Sequence, residues 1–231
     1  KKLDLMNATE FATLENEIYK TTVYPDPSSL GEGVDWQDMI FRTAPMQSHQ
    51  VSLSGGNQKT QIMLSLNYFD QKGVVVNTDF KRYSLRLNLD HQISDRFKTG
   101  ISILGSYTIN NNPATSASDL NGIVSTVLGA AIGAPPTLKP YREDGSFYPF
   151  LDQMNGRYKE VMNPLGLTMN LNRQKLSRTL TNLYGEANII PGLKYKASLN
   201  IVLSSGLNDF YSPLSILSLS EINTKSGSAR K

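Results

Sequence analysis

The chain has 231 residues, of which 39% are hydrophobic, a formal net charge of +3 and no cysteine. Its length and hydrophobic content are ordinary for a folded protein, and the lack of cysteine excludes disulfides, thiolate nucleophiles and cysteine metal sites. The small, scattered positive charge argues against a nucleic-acid partner. No run of about 20 apolar residues predicts a spanning helix. Membrane β-strands escape such a search, because only their alternate residues face lipid.

The N-terminal part predicts two short helices. Asn7 followed by Glu10 is typical of a capped helix start. The run 35–41 predicts one further helical turn that buries Trp36 and Ile40. The apolar face of the first helix would carry Phe11, Leu14 and Ile18.

From about residue 47 apolar residues recur at every second position, the period of a β-strand with one apolar and one polar face. The pattern is clearest in 81–93, where tyrosine, leucine and isoleucine alternate with arginine, serine, asparagine and aspartate. Several strands are longer than is usual in globular sheets, which favours tilted membrane strands. The predicted strands are 47–54, 60–70, 81–93, 97–109, 177–189 and 193–203.

The connections alternate in length. Short turns are predicted at 55–57, 94–96 and 191–192, and longer ones at 74–79 and 111–175. Outer-membrane barrels have short periplasmic turns and long extracellular loops, and a soluble β-sandwich has no reason to sort its loops in this way. Aromatic residues near the long-loop strand ends predict an interfacial girdle, although strand propensity also explains them. These aromatic residues are Tyr68, Phe69, Phe80, Tyr83 and Tyr107.

The longest loop has a predicted helix of its own. Asp119 is a candidate cap, and the helix would end before Pro135. Asp144-Gly145 and Asn163-Pro164 are turn signals. The apolar positions of the helix, at helical spacing, are Leu120, Ile123, Val124, Val127, Leu128 and Ala131.

No catalytic or metal-binding pattern is present. His49 and His91 both fall inside predicted strands, and no Gly-x-Ser-x-Gly elbow accompanies them. The run 55–60 lacks the spacing and the following helix of a phosphate loop. Glu143 and Asp144 are neighbours on a turn and do not define a cleft. We therefore predict no enzyme, no catalytic residue, no metal and no cofactor.

Several motifs resemble the SusC/RagA-type TonB-linked outer-membrane proteins in both order and spacing. The resemblance covers essentially the whole chain. The motifs are Leu5-Met6-Asn7-Ala8-Thr9-Glu10-Phe11, Asp35-Trp36-Gln37-Asp38, the run 47–56, the run 82–90, Ala134-Pro135-Pro136, Asp144-Gly145 and Asn163-Pro164-Leu165.

This resemblance implies an all-β fold, namely an antiparallel transmembrane β-barrel segment of about six strands from a larger plugged barrel, with short helices. Such transporters have about 22 strands. It also implies an outer-membrane importer of glycans or peptides, with a SusD-like surface lipoprotein, the TonB system and outer-membrane lipid as partners. The chain would begin after the plug, and TonB would be reached through a preceding part. The expected divisions are an N-terminal loop and helix region 1–46, four barrel strands 47–110, a long extracellular loop with a short helix 111–175, two strands 176–204 and the start of another extracellular loop 205–231.

Two groups of residues are candidates for recognition. The polar side of the third strand is expected to face the lumen, where it contacts either solute, or plug and water. The long loop is the other candidate, because recognition residues concentrate on loops. The lumen-facing candidates are Arg82, Arg86, Asn88 and Asp90, and the loop candidates are Tyr141, Arg142, Asp144, Phe147 and Tyr148.

Two alternatives remain open at this stage. One is an outer-membrane barrel without active transport, such as an adhesin or a structural barrel. The other is a soluble carbohydrate-binding β-sandwich, which would place Leu85, Leu87 and Leu89 in a protein interior.

Overall fold

The computed structural model describes residues 2–20, 22–113 and 126–213. It consists of an antiparallel sheet and, at one end of that sheet, a helical part that we call the cap. The cap comprises the described residues between 2 and 45 and the segment 126–170.

The sheet has six strands in sequence order, each paired antiparallel with the next. Its architecture confirms the predicted antiparallel fold and each of the six predicted strands. The connections alternate as predicted, with short turns at 57–59, 95–96 and 191–192 and longer ones at 73–78 and 112–170. The strands are β1 (Met46–Gly56), β2 (Thr60–Lys72), β3 (Asp79–Ser94), β4 (Phe97–Asn111), β5 (Leu171–Ile190) and β6 (Leu193–Tyr211).

The last two strands extend well beyond the predicted limits. β5 begins at Leu171, not at 177, and β6 continues to Tyr211, not to 203. On β5 the residues 172–175 are polar on both faces, and on β6 the residues 204–211 do not alternate between apolar and polar. The period-two signal is therefore lost, although the backbone pairing continues. Residues 171–175 and 205–211 are therefore strand, not loop.

Four α-helices and three short 3-10 helices (Pro27–Leu30, Phe150–Asp152 and Met154–Gly156) lie in the cap, and the predicted N-terminal α-helices are confirmed. In α1 the Asn7 side chain accepts the Glu10 amide at 2.9 Å and Glu10 returns a bond to the Asn7 amide at 3.0 Å, which is a complete capping box. α3 is capped by Thr126. The predicted start at Asp119, with Leu120, Ile123 and Val124, lies outside the described residues. The helices are α1 (Ala8–Tyr19), α2 (Trp36–Ile40), α3 (Val127–Gly133) and α4 (Pro164–Leu167).

The cap has an apolar core assembled from two distant parts of the chain. Trp36 and Phe150 pack edge to face, with ring centroids 5.3 Å apart. The Trp36 indole donates to the Pro135 carbonyl at 2.9 Å, so this buried N–H is paired. The core also contains Ile40, Val75, Val127, Ala130, Ala131, Ala134, Leu138, Met162, Leu165 and Leu167.

The turn between β2 and β3 joins the cap to the sheet. Val75 lies in the cap core, and Phe41 forms a β-bridge with it. The Arg42 amide donates to the Val74 carbonyl at 2.8 Å, and the Val76 amide donates to the Ile40 carbonyl at 2.9 Å. No helix among the described residues has the length and apolarity to cross a membrane.

Candidate functional site

One face of the sheet is mainly apolar, because the strand register aligns the apolar residues of neighbouring strands. On β5 this face carries Leu183 and Ala187 but also Ser177, Thr179 and Thr181. Side chains of directly opposed residues lie on the same face. The residues predicted to be apolar on 60–70, 81–93 and 97–109 therefore form continuous cross-strand rows. One row is Leu53, Leu64, Leu87, Ile103, Thr181 and Ile201, and the next is Gly55, Ile62, Leu89, Ile101, Leu183 and Leu199.

This apolar face is not covered by any described part of the protein. Leu85 is 39% exposed, Leu66 50% and Leu203 65%, and Leu87 and Leu89 are half-buried by their neighbours on the sheet. A soluble monomer rarely exposes so large a contiguous apolar surface. The sandwich alternative needs a second layer here, and the described residues provide none.

A row of aromatic rings borders the apolar face toward the cap. Tyr68 and Tyr83 have ring centroids 5.2 Å apart, Tyr83 and Tyr107 6.4 Å, and His49 stacks on Tyr68 at 6.4 Å. We call these four residues the tyrosine row. The prediction that Phe69 and Phe80 belong to the same girdle is wrong.

Phe69 and Phe80 lie on the opposite, polar face. Successive residues of a strand point to opposite faces of the sheet. Phe69 is one position from Tyr68, and Phe80 is three positions from Tyr83, so both phenylalanine side chains point away from the tyrosine row. Their rings contact each other edge to face at 6.1 Å. Proximity to a strand end was therefore a poor guide to which side of the sheet an aromatic residue occupies.

The four polar candidates of β3 all lie on the polar face, but they do not form one cluster. Arg82 stacks its guanidinium over Phe69 at 5.4 Å. Asn88 accepts a hydrogen bond from the Ser102 hydroxyl at 2.7 Å. Arg86 is exposed, between Ser65 and Leu104 in the register. Arg82 and Arg86 retain surface available to a ligand or to another part of the protein.

Asp90, the fourth candidate, belongs to a charged group near the short turns. The Tyr184 hydroxyl donates to the Asp90 carboxylate from two strands away, and the tyrosine ring lies across Gly100 on the intervening strand. A Cβ at Gly100 would be 2.4 Å from Tyr184 Cε1 and 2.5 Å from Asp90 Oδ1. Lys98 lies 3.7 Å from Asp90. The sequence showed Tyr184 on the polar side, but its reach over a glycine depends on the register.

A small apolar area interrupts the polar face. Leu104, Leu180 and Val202 follow one another across β4, β5 and β6. Leu104 is the residue that breaks the polar side of its strand in the sequence, and the structure shows that its neighbours extend that break. Leu104 is 37% and Val202 56% exposed, which leaves an apolar surface available for packing.

The loop candidates come together on a short hairpin in the cap, residues 141–148. Tyr141 and Phe147 form a β-bridge, and their rings stack at 5.6 Å. Asp144 lies in the turn that Arg142 begins, and its carboxylate accepts the Ser146 amide at 2.8 Å and the Ser146 hydroxyl at 2.6 Å. These hydrogen bonds lower the pKa of Asp144. The carboxylate is therefore ionised and already engaged.

Arg142 and Tyr148 also have partners within the cap. Arg142 Nη2 lies 2.5 Å from Asp152 Oδ2, and its guanidinium lies over the Tyr148 ring at 5.3 Å. The Tyr148 carbonyl accepts the Asn163 amide group at 3.1 Å. The hairpin thus exposes Tyr141, at 43%, together with the polar residues 142–146, whereas Phe147 and Tyr148 are half-buried.

A buried polar network fixes α1 against the later cap segment. The Tyr24 and Tyr158 hydroxyls are 2.9 Å apart, Tyr158 donates to Glu15 at 3.0 Å, and Arg157 pairs with Glu15 at 2.9 Å. Burial, reinforced by the Tyr24 hydrogen bond, raises the pKa of Tyr158 far above its usual range. The phenol therefore remains a neutral donor, and the sequence offered no signal for this contact between residues 134 positions apart.

The two histidines lie inside strands, as predicted. His91 Nδ1 is 2.8 Å from the Thr60 hydroxyl near the short-turn end, and His49 belongs to the tyrosine row. Among residues 2–20, 22–113 and 126–213, no group of three or more histidine or carboxylate side chains is arranged to hold a metal ion.

The chain is similar to known proteins in both sequence and structure. No family model matches the chain. The chain is 28% identical over 216 residues to TonB-dependent receptor P3 of Formosa agariphila, covering 93% of this chain and 21% of the relative. It is 31% identical to receptor P26 of the same organism, covering 68% and 15%, and 28% identical to TonB-dependent receptor SusC of Bacteroides thetaiotaomicron, covering 71% and 15%. These receptors are much longer than the present chain.

Solved structures agree with the sequence relatives. The RagAB peptide importer in its closed-closed state matches 91% of this chain and 26% of its own chain, with a TM-score of 0.67 and 20% identity. The open-open state matches 79% and 20%, with a TM-score of 0.63 and 24% identity. At these identities the likeness establishes the fold. The chain is homologous to SusC/RagA-type TonB-dependent receptors and corresponds to a part of their length.

Proposed function

We propose that this chain forms part of the wall of an outer-membrane β-barrel that imports nutrients with energy supplied through TonB. The apolar face contacts lipid, the polar face contacts the barrel interior, and the cap lies outside the cell. The single observation that carries this proposal is the continuous, uncovered apolar face, which the register extends across six strands.

The dimensions of the apolar face support a membrane location. From Tyr83 to Ile93 the strand β3 rises roughly 33 Å at about 3.3 Å per residue. A strand tilt of about 40° reduces this to a height of roughly 25 Å, which is the height of the apolar band in outer-membrane barrels. The tyrosine row then lies at one interface, where aromatic girdles are found.

The cap supports the outward orientation. It is attached at the long-loop end of the sheet, and long loops are extracellular in such barrels. We infer that the hairpin residues Tyr141, Arg142, Asp144, Phe147 and Tyr148 contact the substrate or a SusD-like surface lipoprotein. We infer also that Arg82, Arg86, Asn88 and Asp90 line the interior. The imported compound is an oligosaccharide or a peptide.

An uptake experiment in the natural bacterium tests the proposal. Cells that carry the complete protein are compared with a strain lacking it, and each is assayed with and without a functional TonB system for uptake of labelled oligosaccharide and peptide mixtures. The proposal expects uptake that requires both the protein and TonB. Normal uptake without TonB would favour a barrel without active transport.

The hairpin is tested in the same assay. Tyr141→Ala removes the exposed ring of the hairpin and should weaken binding of substrate or of the lipoprotein, with the barrel still assembled. Glu143 is exposed on the same hairpin and is not one of the candidate residues, so Glu143→Gln serves as the control. Equal behaviour of the two variants would remove the hairpin from the recognition surface.

A further inference from the structure

A polar cavity of about 450 Å³ lies at the long-loop end of the apolar face, beyond the tyrosine row. One wall is a single cross-strand row of charged and polar side chains, Lys72, Asp79, Asn111 and Arg173. Each of these residues lies an even number of positions from the apolar-face residues of its own strand, so its side chain points to the same side of the sheet as the leucines and tyrosines. The cavity therefore opens on the lipid side of the sheet, not on the interior side.

Three cations and one carboxylate line this cavity. The carboxylate, Asp79, is neutralised locally, because Lys72 lies 3.6 Å away and the Asn111 side chain donates to it. Arg42 and Arg173 are the other two cations. The cavity consequently has an excess of positive charge.

The arginines are held in place by bonds that use only part of their donor capacity. Arg42 donates through Nε to the Gly73 carbonyl at 3.1 Å and through Nη2 to the Thr78 carbonyl at 2.9 Å. Arg173 donates through Nε to Asn111 at 2.8 Å. A guanidinium has five N–H donors, so both groups can bind a further anion without losing these contacts. A fixed guanidinium suits a phosphate, which it binds through two parallel hydrogen bonds.

The cavity lies near the level of lipid headgroups. Asp79 lies four residues beyond Tyr83 on β3, which is roughly 13 Å along the strand and, at a tilt of about 40°, roughly 10 Å above the tyrosine row. The headgroup layer occupies about 5 to 8 Å on each side of the hydrocarbon core. The Asp79 backbone is thus roughly 2 to 5 Å beyond this layer, a distance that the long side chains of Lys72 and Arg173 can span.

We propose that this cavity binds the phosphate-bearing headgroup of an outer-leaflet lipid. The proposal rests on the membrane orientation argued under the proposed function. Arg42, Lys72 and Arg173, which all line the cavity, bind the phosphate. Phosphate is the shared chemistry of a lipid headgroup and a free ion, and the test separates the two.

The test uses the complete natural protein, assembled in nanodiscs of zwitterionic lipid alone or doped with the phosphorylated glycolipid lipid A. Native mass spectrometry counts the lipid A molecules that remain bound. The variant Lys72→Gln/Arg173→Gln should lose bound lipid A by about tenfold or more, since each charge-assisted hydrogen bond to phosphate is strong. The control Arg178→Gln/Lys196→Gln removes two charges from the polar face and should bind as the wild type does.

Three outcomes would overturn the proposal. The double variant could retain lipid A as the wild type does, the control could lose it equally, or inorganic phosphate at equal concentration could displace it fully, which would assign the cavity to a free anion. Heat-modifiable mobility on gels verifies that each variant is assembled. An assembled, transport-competent variant that binds lipid A normally would refute the lipid site and leave the proposed function intact.

Discussion

The cap and the sheet bury their side chains in different ways. Every buried hydrophobic residue of the described chain lies in the cap or, in the case of Val75, in the turn that enters it. The long strands bury almost none, and β6 is exposed along nearly its whole length. The cap is therefore stabilised as a water-soluble domain is. In the proposed function, the sheet is instead stabilised by what surrounds it, namely lipid on one face and the barrel contents on the other.

The largest effect is expected in the cap core. Phe150→Ala removes a ring that is 1% exposed and packs on Trp36, and such a cavity costs about 3 to 5 kcal/mol. Hydrogen–deuterium exchange of the complete protein should show faster exchange of cap amides with the strands unchanged. Phe97→Ala, at a site on the sheet that is 53% exposed, is the matched control. Loss of protection along the strands, beyond the β2–β3 turn that is bonded to the cap, would contradict the separate stabilisation of the two regions.

The next effect distinguishes the two faces of the sheet. Leu87→Arg places a charge on the apolar face, which costs roughly 2 to 4 kcal/mol near the bilayer midplane, and should reduce the amount of assembled barrel in the outer membrane. Asn88→Arg, one residue further on the polar face, should be tolerated. The measurement is the heat-modifiable fraction in isolated membranes. Comparable defects from both changes would mean that the lipid and interior faces are assigned wrongly.

A smaller effect is expected where the sheet makes a specific contact of its own. Gly100→Ala forces the Tyr184 ring away from Asp90, and overpacking of this kind costs about 1 to 3 kcal/mol. In Gly105→Ala on the same strand the new methyl meets nothing closer than 3.9 Å, so little change is expected. Urea unfolding from lipid vesicles gives the free energy of unfolding of each of the two variants. Equal values would show that Tyr184 does not depend on this glycine.

The smallest effect concerns the N-terminal end of the cap. Lys2 bonds to Asp35 at 2.8 Å and to Asp38 at 2.6 Å. This lowers the pKa of Asp35 and raises the pKa of Lys2. The Asp35 contribution to stability is complete above its usual pKa of about 4 and is lost as the pH falls through the lowered value. The Lys2 contribution is complete below about 10.4 and is lost as the pH rises through the raised value.

The N-terminal segment should therefore be docked most firmly between about pH 5 and pH 10. A nitroxide on Leu5→Cys, in a chain without other cysteines, reports its mobility by electron paramagnetic resonance. Asp35→Asn keeps a side-chain oxygen that can cap α2 but removes the ion pair between Lys2 and Asp35. The mobility of the nitroxide should then change less as the pH is lowered. An unchanged profile would exclude this pair as its origin.

Local patterns predicted local structure well. Period-two alternation located all six strands, and the Asn7 and Glu10 spacing identified the capping box of α1. Both signals depend on residues close together in the sequence. The ends of β5 and β6 were missed, because residues 172–175 are polar on both faces and residues 204–211 do not alternate between apolar and polar.

Contacts between distant residues were not predictable in the same way. The Trp36 indole reaches Pro135, 99 residues away, and Tyr184 reaches Asp90 across another strand. Such pairs depend on loop closure and on strand register, and a periodic pattern of apolar residues predicts neither. The candidate residues of the 141–148 hairpin were found on one turn because they are neighbours in sequence. The internal partners of Arg142 and Asp144 became evident only from the structure.

The β-bridge between Phe41 and Val75 has a mechanical consequence. Backbone hydrogen bonds on both sides of it tie the segment entering β1 to the turn leaving β2, and Val75 is itself embedded among the cap helices. The cap cannot swing away from the barrel rim as a free lid, because any such rotation has to break this crosslink or pull β2 and β3 along with it. A force applied to the cap is therefore transmitted directly to β2 and β3.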